Sequence, residues 1–185
     1  RYAAVRKTLP LSNIGFIAEQ PDATPQYSDV LTLGHMSNLS EDKGIALAVE
    51  ALHRVRQAGI NARLLVAGPC ADRYAEKVIE TATQDLGRHF TYLGPVHGDE
   101  KAAFFTSLDI FLFPSRYRNE TEGIVVLEAL SFAVPVVAYD RCCVGRAIGA
   151  DGGLVVATDA DFGDSTVTMA RCYLSARRET RERAH

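Results

Sequence analysis

No apolar run in these 185 residues reaches the roughly 18 that a membrane-spanning helix needs. No charged n-region followed by an apolar stretch opens the chain, so no secretory signal is read. Four cysteines are present: Cys70, Cys142, Cys143 and Cys172. Two are adjacent and none has C-x-x-C spacing, which argues against a disulfide framework and for reduced thiols in a cytoplasmic setting. The net charge is −3 with no long Lys/Arg stripe, so nucleic acid is not an expected partner. Several motifs are missing as well. No G-x-G-x-x-G follows a strand, no G-x-x-x-x-G-K-[ST] occurs, and neither H-E-x-x-H nor G-x-S-x-G is found. Dinucleotide, P-loop, zincin and serine-hydrolase chemistries are thereby disfavoured. The five histidines are scattered without metal-ligand spacing.

What is there is an alternation. Short apolar runs at Val30–Leu33, Arg63–Ala67, Phe90–Leu93, Ile110–Phe113, Val134–Ala138 and Gly153–Val156 read as six strands. Between them lie helical patterns at 44–59, 72–86, 99–108 and about 123–132, with a last helix at about 161–175 and a charged tail after it. Ser40 is the expected N-cap of the first helix and Gly59 its stop. Strands alternating with helices of this length predict βαβ units: a Rossmann-like, doubly wound parallel sheet of about six strands with helices on both faces. Residues 1–27, broken by Pro10, Pro21 and Pro25, read as a linker with one short strand near Ile14–Ala18. Residues 28–185 form the α/β domain. The chain starts at Arg1 without Met and is read as a piece of a longer protein.

In such sheets ligands bind beyond the carboxyl ends of the strands. The informative stretch there is DIFLFPSRYRNETEGIVVLEALSFAVPVVAYD, from Asp109 to Asp140. A strand enters a polar loop holding Glu120, and a helix then begins near Gly123 and carries Glu128. Free N–H groups at the helix start, around Gly123 and Ile124, suit a phosphate. Eight helical residues rise about 12 Å, the span from a sugar across a diphosphate to a ribose. Carboxylates at the two ends can accept hydrogen bonds from paired sugar hydroxyls. Two glutamates eight apart are common on helix surfaces, so the spacing alone is a weak signal.

The stretch resembles the E-x7-E region of the retaining glycosyltransferases of family 4, which have the two-domain GT-B fold. The resemblance extends to LGHMSNLSEDKG, LLVAGPC, TYLGPV, DIFLFPSR, VVLEAL and VPVVAYD, in the family's order over roughly residues 29–156. It implies the donor-binding half of an enzyme that moves a sugar from a nucleotide diphosphate sugar to an acceptor hydroxyl, with retention of configuration and no metal or other cofactor. The acceptor half would be an N-terminal domain absent from this chain. The fragment alone is then expected to be inactive, and the full protein cytoplasmic, with peripheral membrane contact through its other domain. The resemblance assigns Glu120 to the donor sugar near the reacting carbon, Glu128 to the ribose and Lys43 to the departing diphosphate. It places the base against backbone groups at Val96 and His97. Asn38 stands where the family commonly has a second cationic clamp, an arginine, and Arg116 or Arg118 is the candidate replacement. Glu122 adds a negative charge close to the expected phosphate. His35 is read as a loop histidine. The competing reading is a nucleotide-sugar-binding or regulatory module with no catalytic partner.

Overall fold

The computed structural model describes the backbone of residues 28–183 apart from 121, 122, 142 and 159, with side chains as far as 179. The linker and short strand expected in residues 1–27 lie outside the described residues. So do Glu122 and Cys142.

Six strands form one parallel sheet in the order β3-β2-β1-β4-β5-β6. They are β1 (Leu31–Met36), β2 (Ala62–Ala67), β3 (Phe90–Tyr92), β4 (Ile110–Phe113), β5 (Val136–Tyr139) and β6 (Gly153–Val156). The helices are α1 (Ile45–Gln57), α2 (Arg73–Leu86), α3 (Gly98–Thr106), α4 (Ile124–Ser131), α5 (Val144–Ile148) and α6 (Phe162–Arg183). Every residue of β1, β4 and β5 is buried, as central parallel strands require when both faces are covered. The two-residue period divides the core. Leu31, Leu33, Leu64, Ile110, Leu112 and Val137 pack against α1, α2 and α6. Phe111, Phe113, Val136 and Ala138 pack against α3, α4 and α5.

The expected doubly wound architecture is therefore observed, with several local differences. The first strand runs on to Met36 through Gly34 and His35. A Cβ at Gly34 would sit 2.3 Å from Leu108 Cδ1, so the small residue admits close packing. α1 starts at Ile45 after Gly44, whose φ is +79°, and no side chain caps it. Ser40 is not the N-cap; its hydroxyl accepts from the Lys43 amide at 3.3 Å, in the turn before the helix. α6 continues through the charged tail, where Arg177 bonds the Ser28 carbonyl at 2.7 Å and pairs with Asp109 at 3.5 Å. The short α5 carries no signal in the sequence strong enough to predict it.

The sheet order reverses between β1 and β4. Loops leaving neighbouring strands there turn to opposite faces and open a crevice. Hydrogen bonds between loops fix its rim. Leu39 and Pro69 bond at 2.8 Å, Ala71 and Leu39 at 2.8 Å, Gly68 and Gly94 at 2.8 Å, and Arg116 donates to the Asp42 carbonyl at 2.7 Å.

Candidate functional site

A cleft of about 410 Å³ lies at this crevice. Its walls come from four loops and from the starts of α3 and α4. Asn38 and Lys43 follow β1, Gly68 follows β2, Val96 and His97 follow β3, and Glu120, Gly123 and Ile124 follow β4. Seven of the residues singled out in the sequence thus meet in one place. Lys101, from the first turns of α3, also lines it.

The floor depends on glycine. Gly68 has φ +116°, and a Cβ there would lie 1.9 Å from the Ser37 carbonyl oxygen. At the opposite wall Gly123 has φ +63° and precedes α4, whose start no side chain caps. The first-turn N–H groups of a helix have no partner within it. Ile124, 51 % exposed, leads that turn into the cleft. The α4 start therefore offers backbone donors and the positive end of a helix dipole, the arrangement that binds phosphate elsewhere.

Two lysine–glutamate pairs flank this helix start. Lys43 Nζ donates to Glu120 Oε2 at 2.7 Å and lies 4.4 Å from the centroid of the Tyr117 ring. The buried Ser115 hydroxyl donates to the same Glu120 oxygen at 3.0 Å. On the other side Lys101 Nζ donates to Glu128 Oε1 at 2.5 Å. Glu128 Oε2 is buried and has no hydrogen-bond partner. Leaving a buried carboxylate oxygen unpaired costs about 1–3 kcal/mol, so an O–H or N–H donor arriving there would be favoured. Glu128 stands one helical turn beyond Ile124 and is not itself among the lining residues.

His35 is not a loop residue but a fully buried member of β1. Its Nδ1 donates to the Leu112 carbonyl at 3.0 Å, which leaves Nε2 to accept from the Ser37 hydroxyl at 3.3 Å. Burial, reinforced by the positive charge of Lys43, lowers its pKa to about 4 against the partly opposing bond to Leu112, so the ring is neutral near pH 7. Ser37 in turn lines the cleft.

The arginines expected to replace the missing clamp do not reach the cleft. Arg116 donates to the Tyr139 hydroxyl at 3.0 Å and stacks 5.2 Å from that ring's centroid, because its backbone is tied to the α1 loop through Asp42. Arg118 is exposed and is not a lining residue either. The residues that sequence reasoning missed are Lys101, Ser115 and Tyr117. Lys101 follows the His-Gly-Asp-Glu run without any motif to mark it. Among the described residues no cluster of three or more His, Cys, Asp or Glu side chains could hold a metal ion. No described helix is long and apolar enough to cross a membrane.

The fold is a doubly wound α/β domain whose cleft, at the point where the strand order reverses, is flanked by two lysine–glutamate ion pairs. Residues 16–171 match the family described as glycosyl transferases group 1, and the chain belongs to that family. It is 33% identical over 132 residues to a phosphatidyl-myo-inositol mannosyltransferase of Mycobacterium leprae (strain TN), covering 70% of this chain and 34% of that protein. The fold is similar to that of TarM from S. aureus, with a TM-score of 0.68 at 18% identity over 85% of this chain and 31% of TarM. It is also similar to the pneumococcal O-GlcNAc transferase GtfA, solved with UDP and GlcNAc. There the TM-score is 0.65 at 16% identity, over 89% of this chain and 32% of that one. The chain spans about a third of the length of these proteins. Its sheet is the Rossmann-like domain found in GT-B glycosyltransferases.

Proposed function

We propose that the cleft holds a nucleotide diphosphate sugar and that residues 28–185 are the donor-binding half of a retaining, metal-independent glycosyltransferase of family 4. The observation that carries this reading is the uncapped start of α4 set between two lysine–glutamate pairs. The diphosphate would lie against the Gly123–Ile124 backbone, with Lys43 as counter-charge. Glu120 would take hydroxyls of the sugar and Glu128 those of the ribose. Backbone groups at Val96 and His97 would meet the base. UDP in the pneumococcal neighbour's structure agrees with a nucleotide ligand.

In the reaction, the bond between the anomeric carbon and the phosphate oxygen breaks as the acceptor oxygen bonds to that carbon on the same face. The acceptor proton passes to the departing phosphate. Lys43 and the helix start stabilise the charge that develops on the diphosphate. The acceptor site belongs to an N-terminal domain of a longer chain, so the 185 residues alone bind nucleotide without turnover. In this reading the full protein is cytoplasmic, with peripheral membrane contact through its other domain. Asn38, exposed at the cleft rim, supplies no charge where the family commonly has arginine. It is the feature that favours another reading, a structural Rossmann-like domain that has lost its ligand site.

The test is calorimetric titration of the chain with UDP, GDP and ADP, for wild type, Lys43→Ala and Glu128→Ala. One nucleotide should bind and each substitution should weaken it by about tenfold or more while the fold persists. A folded wild type that binds none of the three overturns the reading.

A further inference from the structure

The two oxygens of Glu128 have different surroundings. Oε1 receives the ammonium of Lys101, carried by the neighbouring helix α3, at 2.5 Å. Oε2 is buried without a hydrogen-bond partner. The terminal torsion of a glutamate is broad, so a carboxylate held by nothing would exchange its oxygens freely. An ammonium has donors only, and one fixed from a second helix pins the group.

Resting on the reading of the cleft as a nucleotide-sugar site, we infer that Lys101 is a positioning residue for ribose recognition. It occupies one oxygen of Glu128 and so presents the other to the cis-diol of the nucleotide. Lys101 acts through Glu128 and not on the reacting atoms. The pairing ties α3, whose first turn follows the base-contacting loop at Val96 and His97, to α4, whose start takes the phosphate. Base, ribose and phosphate subsites are then held in one rigid frame.

The experiment compares the nucleoside diphosphate bound best among UDP, GDP and ADP with its 2′,3′-dideoxy counterpart. Both are titrated calorimetrically into wild type, Lys101→Met, Lys101→Arg and Glu128→Ala, with circular dichroism to monitor folding. Wild type should prefer the ribonucleotide by about tenfold or more. Lys101→Met should lose most of that preference, as Glu128→Ala does, and Lys101→Arg should recover much of it. The dideoxy nucleotide should bind Lys101→Met and wild type alike. If Lys101→Met weakens both nucleotides equally, the lysine acts on the nucleotide as a cation and the inference fails. If it shifts only the unfolding midpoint, the pair is structural and the inference fails as well. A folded wild type that binds no nucleotide overturns the donor-site reading and this inference with it. Binding without a ribose preference overturns this inference alone.

Discussion

Lys43 Nζ and Glu120 Oε2 lie 2.7 Å apart although 77 residues separate them in the chain. The pair bridges the loops after β1 and β4, across the point where the sheet order reverses. Both side chains are largely covered, at 20% and 10% exposure. The cation proposed to meet the diphosphate is therefore already partnered by the carboxylate proposed to meet the sugar. The two roles are coupled electrostatically.

That coupling predicts opposite effects on binding and transfer. Glu120→Gln removes a negative charge beside Lys43 and keeps the shape of the side chain. At an effective dielectric of about 20 to 40, the lost repulsion is worth about 1 kcal/mol at the phosphate, or roughly fivefold in affinity. The variant should bind free nucleoside diphosphate several-fold more tightly than wild type in calorimetry. In the full-length protein it should transfer sugar far more slowly. Weaker binding of the diphosphate by Glu120→Gln would show that the carboxylate organises the phosphate site and does not oppose it.

Gly68 marks the cleft floor as a place with no room for a side chain. An alanine Cβ would fall 1.9 Å from the Ser37 carbonyl oxygen, and the backbone would still have to keep φ near +116°. Backbone cannot yield as a flexible side chain does. Gly68→Ala should cost about 2–4 kcal/mol in urea unfolding and should weaken nucleotide binding by displacing Ser37. Gly59, with φ +82° and no atom within 4 Å of its would-be Cβ, is the control. Alanine there should cost only about 1 kcal/mol and leave binding intact.

Six strands and four of the five helices between them are legible because a parallel strand reads as a short apolar run, and Ile110–Phe113 and Gly153–Val156 match the structure residue for residue. β1 runs three residues beyond its apolar run, through Gly34 and His35 to Met36. His35 is tolerated inside only because both ring nitrogens find partners. The helix after Asp161 extends past the loss of apolar periodicity in its tail, where Arg177 holds it by contacts to Asp109 and Ser28 that no local pattern encodes. At the cleft, Glu120, Lys43 and Gly123, singled out by spacing and family likeness, are lining residues, whereas Glu128 stands one turn beyond the lining residue Ile124. Their partners are not legible in the sequence. Lys101 meets Glu128 only because the fold lays α3 beside α4, and the direction of Arg116 is set by Tyr139 on the next strand.

The position of Arg116 gives a prediction that separates packing from ligand contact. Its guanidinium bonds and stacks on Tyr139, an interaction worth about 1 kcal/mol where the arginine is exposed. Arg116→Met should lower stability by about that amount. Nucleotide affinity should change by less than about twofold. A loss of tenfold or more in affinity at unchanged stability would mean that the guanidinium leaves Tyr139 to clamp the phosphate.

His35 supplies a pH dependence whose sign follows from its burial. The imidazole pKa falls from its ordinary 6.5 to about 4 in the folded protein, so the unfolded chain binds the proton more tightly. The full contribution to stability is present above pH 6.5. It is lost progressively as pH falls from 6.5 towards 4 and is gone below that. For a fully buried ring the difference amounts to about 3 kcal/mol. Protonation at Nε2 would also turn the acceptor for Ser37 into a donor and set a second positive charge near Lys43. Urea unfolding measured from pH 7.5 to 4 should show wild type losing stability across this window. His35→Asn keeps a donor for the Leu112 carbonyl and cannot titrate. It should start less stable at pH 7.5 and show a slope shallower by about 3 kcal/mol over the same range. Parallel slopes for the two proteins would show that the acid sensitivity of the fold comes from its carboxylates and not from the buried ring.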